Sequence, residues 1–485
     1  MNDDSLERLM ARAPLKLGLF GIGLDTYWGQ YEGLLDRLTG YQLVIRQKLE
    51  RPGVEVIDAG MVDTALKAHA AAEHFKREDV AVVFLFVSTY ALSSTVLPVV
   101  QKTGAPVIVL NLQPVKAIDY ARFNALGNRT KMTGEWLAHC QACSIPEIAS
   151  VFNRAQIRFH QITGTLHDDP IAWTEIDEWI EAAQVARAMA SNRLGLLGHY
   201  YNGMLDIYSD PTQHAAFFGS HIEHVEMTEL KALRETVSES ELAVKVAQIH
   251  AEFEVMSDCS MAELERAART AVALDKLAEG HDLGALAYFY NGTGDSAYED
   301  IIASVIVGCS LLTAHHVPVA GEYEVKNAQA MKIMDCFGVG GSFTEFYAMD
   351  FNDDIILMGH DGPGHIAIAE GKPKLKPLSE FHGKVGQGLS VEMVVRRGPV
   401  TLLSVIQSFD GKLRLLIAEA ETVPGPILEI GNTNSRYRFS LGARGFIDAW
   451  CSHGPAHHCA VGTGHIAGKI EKLGSLIGME TIRVC

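Results

Sequence analysis

The first two thirds of the chain alternate short apolar, β-rich runs with stretches of helical spacing, and this alternation limits the fold more than any other feature. Leu15-Lys-Leu-Gly-Leu-Phe-Gly-Ile-Gly reads as a buried strand that ends in glycine. Helical spacing follows over Tyr31 to Leu49, then a strand at Val54-Glu-Val-Ile-Asp, a helix over Thr64 to His74, and strands at Val80-Ala-Val-Val-Phe-Leu-Phe-Val and Val107-Ile-Val-Leu-Asn-Leu. Strands this uniformly apolar need cover on both faces, which a parallel sheet between two helical layers supplies. After a charged helical stretch near 172–190 the alternation restarts at Leu194-Gly-Leu-Leu-Gly-His. It runs on through His221-Ile-Glu-His-Val-Glu-Met, helices across 228–280, Ala285-Leu-Ala-Tyr-Phe-Tyr and a helix near 297–312. Two Rossmann- or flavodoxin-like α/β domains are predicted.

From about Gly338 the texture changes. Phe343–Phe351, Ile355–Met358, Ile366–Ala369, Leu389–Arg396, Val400–Gln407 and Leu413–Ala420 read as short strands separated by glycine and proline turns. An antiparallel, barrel-like sheet is expected, closed by a helix over Gly442 to Trp450, another beginning near Gly464 and a last strand at Glu480–Val484. The division expected is 1–190, 191–337 and 338–485. A chain of 485 residues can bury several cores of this kind.

Charge excludes some partners. With 59 acidic against 41 basic residues the formal net charge is −18, which opposes binding to nucleic acid or to an anionic membrane surface. Two uncharged runs, Val80 to Gln101 and Ile301 to Gly321, hold serines, threonines, prolines or histidines that a bilayer span would bury in hydrocarbon, so strand plus helix is the reading for both. The N-terminal segment is acidic without an apolar core, and a cytoplasmic protein is expected. The eight cysteines, Cys140-Gln-Ala-Cys143 among them, are then expected as free thiols.

The chemistry concentrates near the end of the chain. Gly454-Pro-Ala-His457-His458-Cys-Ala-Val-Gly-Thr-Gly-His465 places adjacent histidines in glycine-rich sequence, where packing is a poor reason for them. Adjacent side chains diverge on most backbones, so one imidazole is the better ligand candidate and its partners must come from elsewhere. Glu322 follows the apolar Val317-Pro-Val-Ala at a strand's C-terminal end, where open α/β sheets bind ligands. Glu345 stands among aromatics in Ser342-Phe-Thr-Glu-Phe-Tyr, and His360 ends Leu357-Met-Gly-His before a glycine turn. Two carboxylates and two imidazoles form a mixed oxygen and nitrogen donor set that suits a Mn²⁺-type ion with positions open to substrate oxygens, and the same carboxylates are able to carry a proton. Read singly, each has a plainer role as a helix N-terminal carboxylate or a solvated turn histidine.

Taken together, these stretches resemble the L-arabinose isomerase / L-fucose isomerase superfamily. Gly321-Glu322-Tyr-Glu-Val-Lys326 is similar to a Gly-Glu-x-Asp-x-Lys segment of the arabinose branch, and Gly341-Ser-Phe-Thr-Glu345-Phe-Tyr347 to its Thr-Ser-Phe-x-Glu-x-Tyr segment. Asp354-Ile-Ile-Leu-Met-Gly-His360 resembles a Gly-Ser-His turn after a shorter spacer, and Gly454-Pro-Ala-His457-His458 a Gly-x-x-His-His segment. The resemblance implies that Glu322, Glu345, His360 and His458 hold Mn²⁺ or another divalent cation, and that Glu322 and Glu345 move the proton of an aldose–ketose isomerisation through a cis-enediol. It also implies sugar contacts by Met204, Tyr288, Asn291 and His457, by His139 from a neighbouring subunit, and by the first βα loop. In that loop Asp25 stands where the family has a glutamine, so hydroxyl recognition there relies on acceptors alone. A homo-oligomer, hexamer-like and with sites shared between subunits, is implied as well. A sugar-binding or sensing protein, and a metal-dependent epimerase or lyase using the same enediolate, are the alternatives left open.

Overall fold

The computed structural model describes residues 14–291, 297–378 and 388–485; the acidic N-terminal segment lies outside them. The chain separates into two compact units at the Arg187–Ala188 junction.

The first unit is built on strands β1 (Leu15–Ile22), β2 (Val54–Val62), β3 (Val82–Phe86), β4 (Val107–Gln113) and β5 (Phe159–Thr165), all parallel, in the order β2-β1-β3-β4-β5. That is the flavodoxin-like strand order. β3 is buried along its whole length, as its unbroken apolar run requires. The helix Ala65–Glu78 starts where Thr64 caps it, its side chain accepting from the Lys67 backbone N–H. β5 has no apolar run to announce it; as an edge strand it keeps mostly half-exposed, polar residues. One expectation fails here. Cys140 and Cys143 are joined in a disulfide, and the other six cysteines are free.

The second unit opens with a parallel sheet of β6 (Arg193–Gly198), β7 (His221–Val225), β9 (Ala285–Phe289) and β10 (Val319–Ala320), in the order β10-β9-β6-β7. The first strand is again internal, so the order reverses between β6 and β9. A short β8 (Glu254–Val255) pairs instead with β13 (Lys374–Pro377), which also pairs with β14 (Leu389–Glu392).

The remaining strands are β11 (Gly340–Asp350), β12 (Ile355–His360), β15 (Gly398–Gln407), β16 (Leu413–Thr422), β17 (Thr433–Phe439), β18 (His458–Thr463) and β19 (Glu480–Arg483). β15-β18-β11-β12-β17-β16 run antiparallel to their neighbours, and β16 returns to pair with β15, closing a six-stranded barrel. β19 adds to β16 in parallel. Closure leaves no open edge among the six. The stretch expected as a strand at Ile366–Ala369 is a 3-10 turn over Ile366–Ile368. β17 and β18 carry no apolar alternation strong enough to be read, and the histidine pair, expected in a flexible setting, lies at the start of β18. Among the described residues no helix is long and apolar enough to cross a membrane.

One helix, Val325–Cys336, is buried at every position although it carries Lys326, Asn327, Gln329, Lys332 and Asp335. It packs on both β9 and β10 of the parallel sheet and β11, β15 and β18 of the barrel, which removes its last solvent face. The charges of Lys332 and Asp335 persist because they are paired. Lys332 Nζ lies 2.7 Å from Asp335 Oδ2, His316 Nδ1 lies 2.8 Å from Asp335 Oδ1, and Lys332 also donates to the His316 carbonyl. Burial pushes the Asp335 carboxyl up, but Lys332 and His316 hold it below its usual range. Replacing Lys332 with Met strands a buried carboxylate, a loss of about 3–5 kcal/mol. Urea unfolding of Lys332→Met should show that loss, and Lys332→Met/Asp335→Leu should recover part of it.

Candidate functional site

The C-terminal ends of β6, β9 and β10 meet the barrel rim at a cavity of about 260 Å³. This is the reversal point of the sheet, where parallel sheets leave a crevice between diverging connections. β6 ends at Gly198, with φ +93°, and a Cβ there would stand 1.9 Å from the Phe289 carbonyl oxygen, so only glycine lets the chain turn away at that point. The loop that follows brings Tyr201 and Met204 to the cavity; β9 brings Tyr288 and Phe289, and the turn after β10 brings Gly321 and Glu322.

That turn is strained. Glu322 and Tyr323 both have left-handed backbones, φ +58° and +61°, which cost non-glycine residues about 1–3 kcal/mol each. It is held by hydrogen bonds from Tyr323 N–H to the Tyr288 carbonyl (2.9 Å) and from Glu324 N–H to the Gly321 carbonyl (3.0 Å). The chain then enters the buried helix at Val325, with Glu324 at its N-cap.

The barrel supplies the other side through its register. Glu345 on β11 pairs with His458 on β18 and with Gly359 on β12, and His360 follows Gly359. Cross-strand partners stand about 4.5–5.5 Å apart, so three distant segments are neighbours here by hydrogen-bond pattern alone. Thr433 fixes the His360 backbone twice, its Oγ1 accepting from the amide (2.8 Å) and donating to the carbonyl (3.1 Å). Gly359 cannot carry a side chain, since a Cβ would stand 1.7 Å from the Thr433 carbonyl oxygen. The Phe343 ring packs 4.4 Å from the His360 ring and 4.2 Å from that of His458, limiting both rotations.

Two overlapping ligand groups result, Glu322 with His457 and His458, and Glu345 with His360 and His458; within each, one donor atom per residue lies within 4.8 Å of the others. His458 belongs to both, and Glu322, Glu345 and His360 line the same cavity. His457 joins them. Its ring lies 3.8 Å from that of His458, and the Nε2 atoms of both are 3.4 Å from Glu322 Oε2. The expectation that adjacent histidines diverge is corrected here: β18 begins at His458, and His457, just before it, is free of the strand's alternation.

These residues fit a divalent cation on a physical ground. His458 is buried, and its Nδ1 is engaged by the buried Glu324 carboxylate at 2.5 Å. That fixes the tautomer and aims the other ring nitrogen inward, the usual arrangement of a metal-binding imidazole. His458 Nε2 and Glu322 Oε2 are buried atoms that make no hydrogen bond. Orphaned buried acceptors are costly, and a bound cation between them removes the cost.

His457 is oriented by Asp206, whose Oδ2 accepts from its backbone N–H at 3.0 Å and meets Nδ1 at 2.6 Å. Burial lowers the His457 pKa, but Glu322 and Asp206 outweigh it and raise it to about 9. The Asp206 carboxyl, which burial would raise, is held low by the same ring. Lys326 Nζ anchors the Asp206 carbonyl from the buried helix. Burial keeps the phenols of Tyr288 and Tyr347 protonated, pushing their pKa values up.

Of the other residues named from sequence, Met204 and Tyr288 line the cavity. Asn291 is exposed, donates its backbone N–H to His199 Nε2 at 3.4 Å, and is not among the described lining residues. Asp25 opens a 3-10 turn in the first unit. His139, also there, has its side chain 5% exposed and its Nδ1 3.0 Å from the Glu135 carbonyl. Sequence reasoning missed Glu324, Asp206, Tyr201 and Asp361. Glu324 and Asp361 stand within two positions of a named ligand, the one signal available; nothing local marks Asp206 as the partner of a histidine 251 residues away.

Residues 340–480 match the family model of the L-arabinose isomerase C-terminal domain. This part of the chain belongs to that family. The arabinose-isomerase-type domain covers the whole barrel and contributes Glu345, His360, His457 and His458, whereas Glu322 and Glu324 precede it. No curated protein matches the chain. Solved structures that align with it include the following two. An ABC transporter solute-binding protein from Burkholderia multivorans is 12% identical over 64% of this chain and 97% of that one, with a TM-score of 0.14. A Salmonella D-lactate dehydrogenase is 11% identical over 67% and 95%, with a TM-score of 0.13.

If Glu324 aims the His458 lone pair, Glu324→Gln should weaken Mn²⁺ binding by about 10–100-fold. Calorimetric titration with Mn²⁺ measures this, and an unchanged affinity would remove Glu324 from the role.

Proposed function

We propose that the chain is a divalent-metal-dependent aldose–ketose isomerase acting on an open-chain pentose or 6-deoxyhexose, in a reaction of the L-arabinose to L-ribulose type. The observation that carries the reading is the sharing of His458 between two ligand groups at one cavity. At about 260 Å³ that cavity lies just under the range of about 300–1,000 Å³ found for larger ligands, which suits a small sugar. The family of the barrel domain supports the reaction type.

Glu322, Glu345, His360 and His458 would hold the cation. Mn²⁺, or another divalent ion accepting oxygen and nitrogen donors, would supply Lewis-acid polarisation of the substrate carbonyl. The remaining work belongs to the chain. One glutamate, Glu322 or Glu345, takes the C2 proton of the aldose and returns it to C1 through a cis-enediol, while the other handles the hydroxyl proton. His458, its Nδ1 engaged by Glu324, takes no part in proton transfer. Met204, Tyr288, Phe289 and Ile302 form an apolar wall that limits water at the carbon acid. Asp361 and His457 at the same cavity offer an acceptor and a donor for sugar hydroxyls.

Sugar contacts by Asp25, His139 and Asn291 and a hexamer-like homo-oligomer with shared sites belong to the same proposal and rest on the family resemblance; a cytoplasmic location and the division into 1–190, 191–337 and 338–485 belong to it too and rest on the pattern of the sequence.

The purified protein, stripped with chelator, should form ketose from one or more of a panel of aldoses only after Mn²⁺ or a related ion is restored. Sugar binding without conversion would mark a binding or sensing protein instead, and an epimeric or cleaved product an epimerase or lyase. Glu345→Gln should keep the circular dichroism of the parent and lose turnover by about 10²–10⁴-fold. Near-normal turnover in that variant removes Glu345 from proton transfer.

A further inference from the structure

Cys140 and Cys143 close a disulfide across a separation of three residues, on a turn that the cavity chemistry does not use. The turn, a 3-10 segment over Gln141–Ser144 with Cys140 at its N-cap, runs directly into the helix Ile145–Arg154. It packs beside the C-terminal end of β3. Gln141, between the cysteines and buried, donates through Nε2 to the Ser88 carbonyl (2.8 Å) and the Ala138 carbonyl (3.0 Å). Ser144 Oγ accepts from the Ala91 backbone N–H at 2.8 Å, and Thr89 Oγ1 donates to the Leu137 carbonyl at 2.8 Å. The turn is therefore fastened without its disulfide.

A disulfide stabilises chiefly by the loop it closes, and this loop is about as short as a disulfide permits. Stapling is a weak reason for it. The two sulfurs also differ in access: Cys140 is 2% exposed, whereas Cys143 stands at the surface. Exposure of one sulfur and little structural gain are the properties of an exchangeable disulfide.

We propose that Cys140–Cys143 is a reversible thiol–disulfide exchange site, entered at Cys143 by a dithiol reductant. A thiolate of the reductant attacks Cys143 Sγ. The bond to Cys140 breaks, its electron pair leaves on Cys140 Sγ, and a mixed disulfide joins the reductant to Cys143. The second thiolate of the reductant then attacks its own sulfur in that mixed disulfide, and Cys143 leaves as a thiolate. Two electrons pass from the dithiol to the chain, the reductant departs as a disulfide, and both cysteine thiolates take protons from solvent. Reoxidation by a disulfide of the same class runs the sequence in reverse. The site is independent of the isomerase reading.

The test equilibrates the full-length protein in graded ratios of reduced to oxidised dithiothreitol, quenches with acid, labels thiols with a maleimide and maps them by mass spectrometry. Cys140 and Cys143 should become labelled together in one two-electron transition, while the buried Cys309, Cys336 and Cys459 match an untreated control. In glutathione disulfide, Cys140→Ser should accept one glutathione on Cys143 at least ten times faster than Cys143→Ser accepts one on Cys140. The proposal is overturned if the pair is reduced only where circular dichroism shows the fold lost, if it is already reduced at the most oxidising ratio, if it stays closed at the most reducing one, or if both variants react equally fast.

Discussion

The register of three barrel strands is the constraint from which the site follows. β18, β11 and β12 lie side by side, and one row of the ladder holds His458, Glu345 and Gly359. A slip of one residue would turn Glu345 to the other face and remove both histidines from its reach. Closure of the barrel resists such a slip, because each of the six strands is paired on both sides. Gly359 tightens the lock, since the neighbouring strand approaches too closely for any side chain.

The barrel cannot complete the donor set. Glu322 comes from the end of a parallel sheet, on a turn whose two left-handed residues would not persist in isolation. The buried helix Val325–Cys336 joins the two halves of the site. Its N-terminal side presents Glu324 to His458, and Lys326, two residues on, holds the loop that carries Asp206 to His457. Each imidazole thus faces the cavity with its far nitrogen engaged by a carboxylate from another segment. At His458 this leaves the Nε2 electron pair beside Glu322 Oε2, which suits a cation there.

The disulfide of the first unit obeys a different logic. It closes a minimal loop on a turn already secured by Gln141 and Ser144, so its formation or loss alters little of the fold. Chemistry placed there can change state while the sheet beneath stays intact.

Much of the molecule was legible in its sequence. Unbroken apolar runs such as Val82–Phe86 determined both parallel sheets, because no other element buries them on two faces. The chemical types of Glu322, Glu345, His360 and His458 were legible too, since their turns and strand ends break the local apolar pattern. β5, β17 and β18 were not, being edge or polar strands whose existence depends on the strand beside them. The place of Ile366–Ile368 in a turn, the approach of His457 to His458, and the roles of Glu324 and Asp206 were decided only by tertiary structure. Periodicity reports which face of an element is apolar, whereas a hydrogen bond spanning 251 residues is set by how elements pack, and no local window of sequence contains both of its ends.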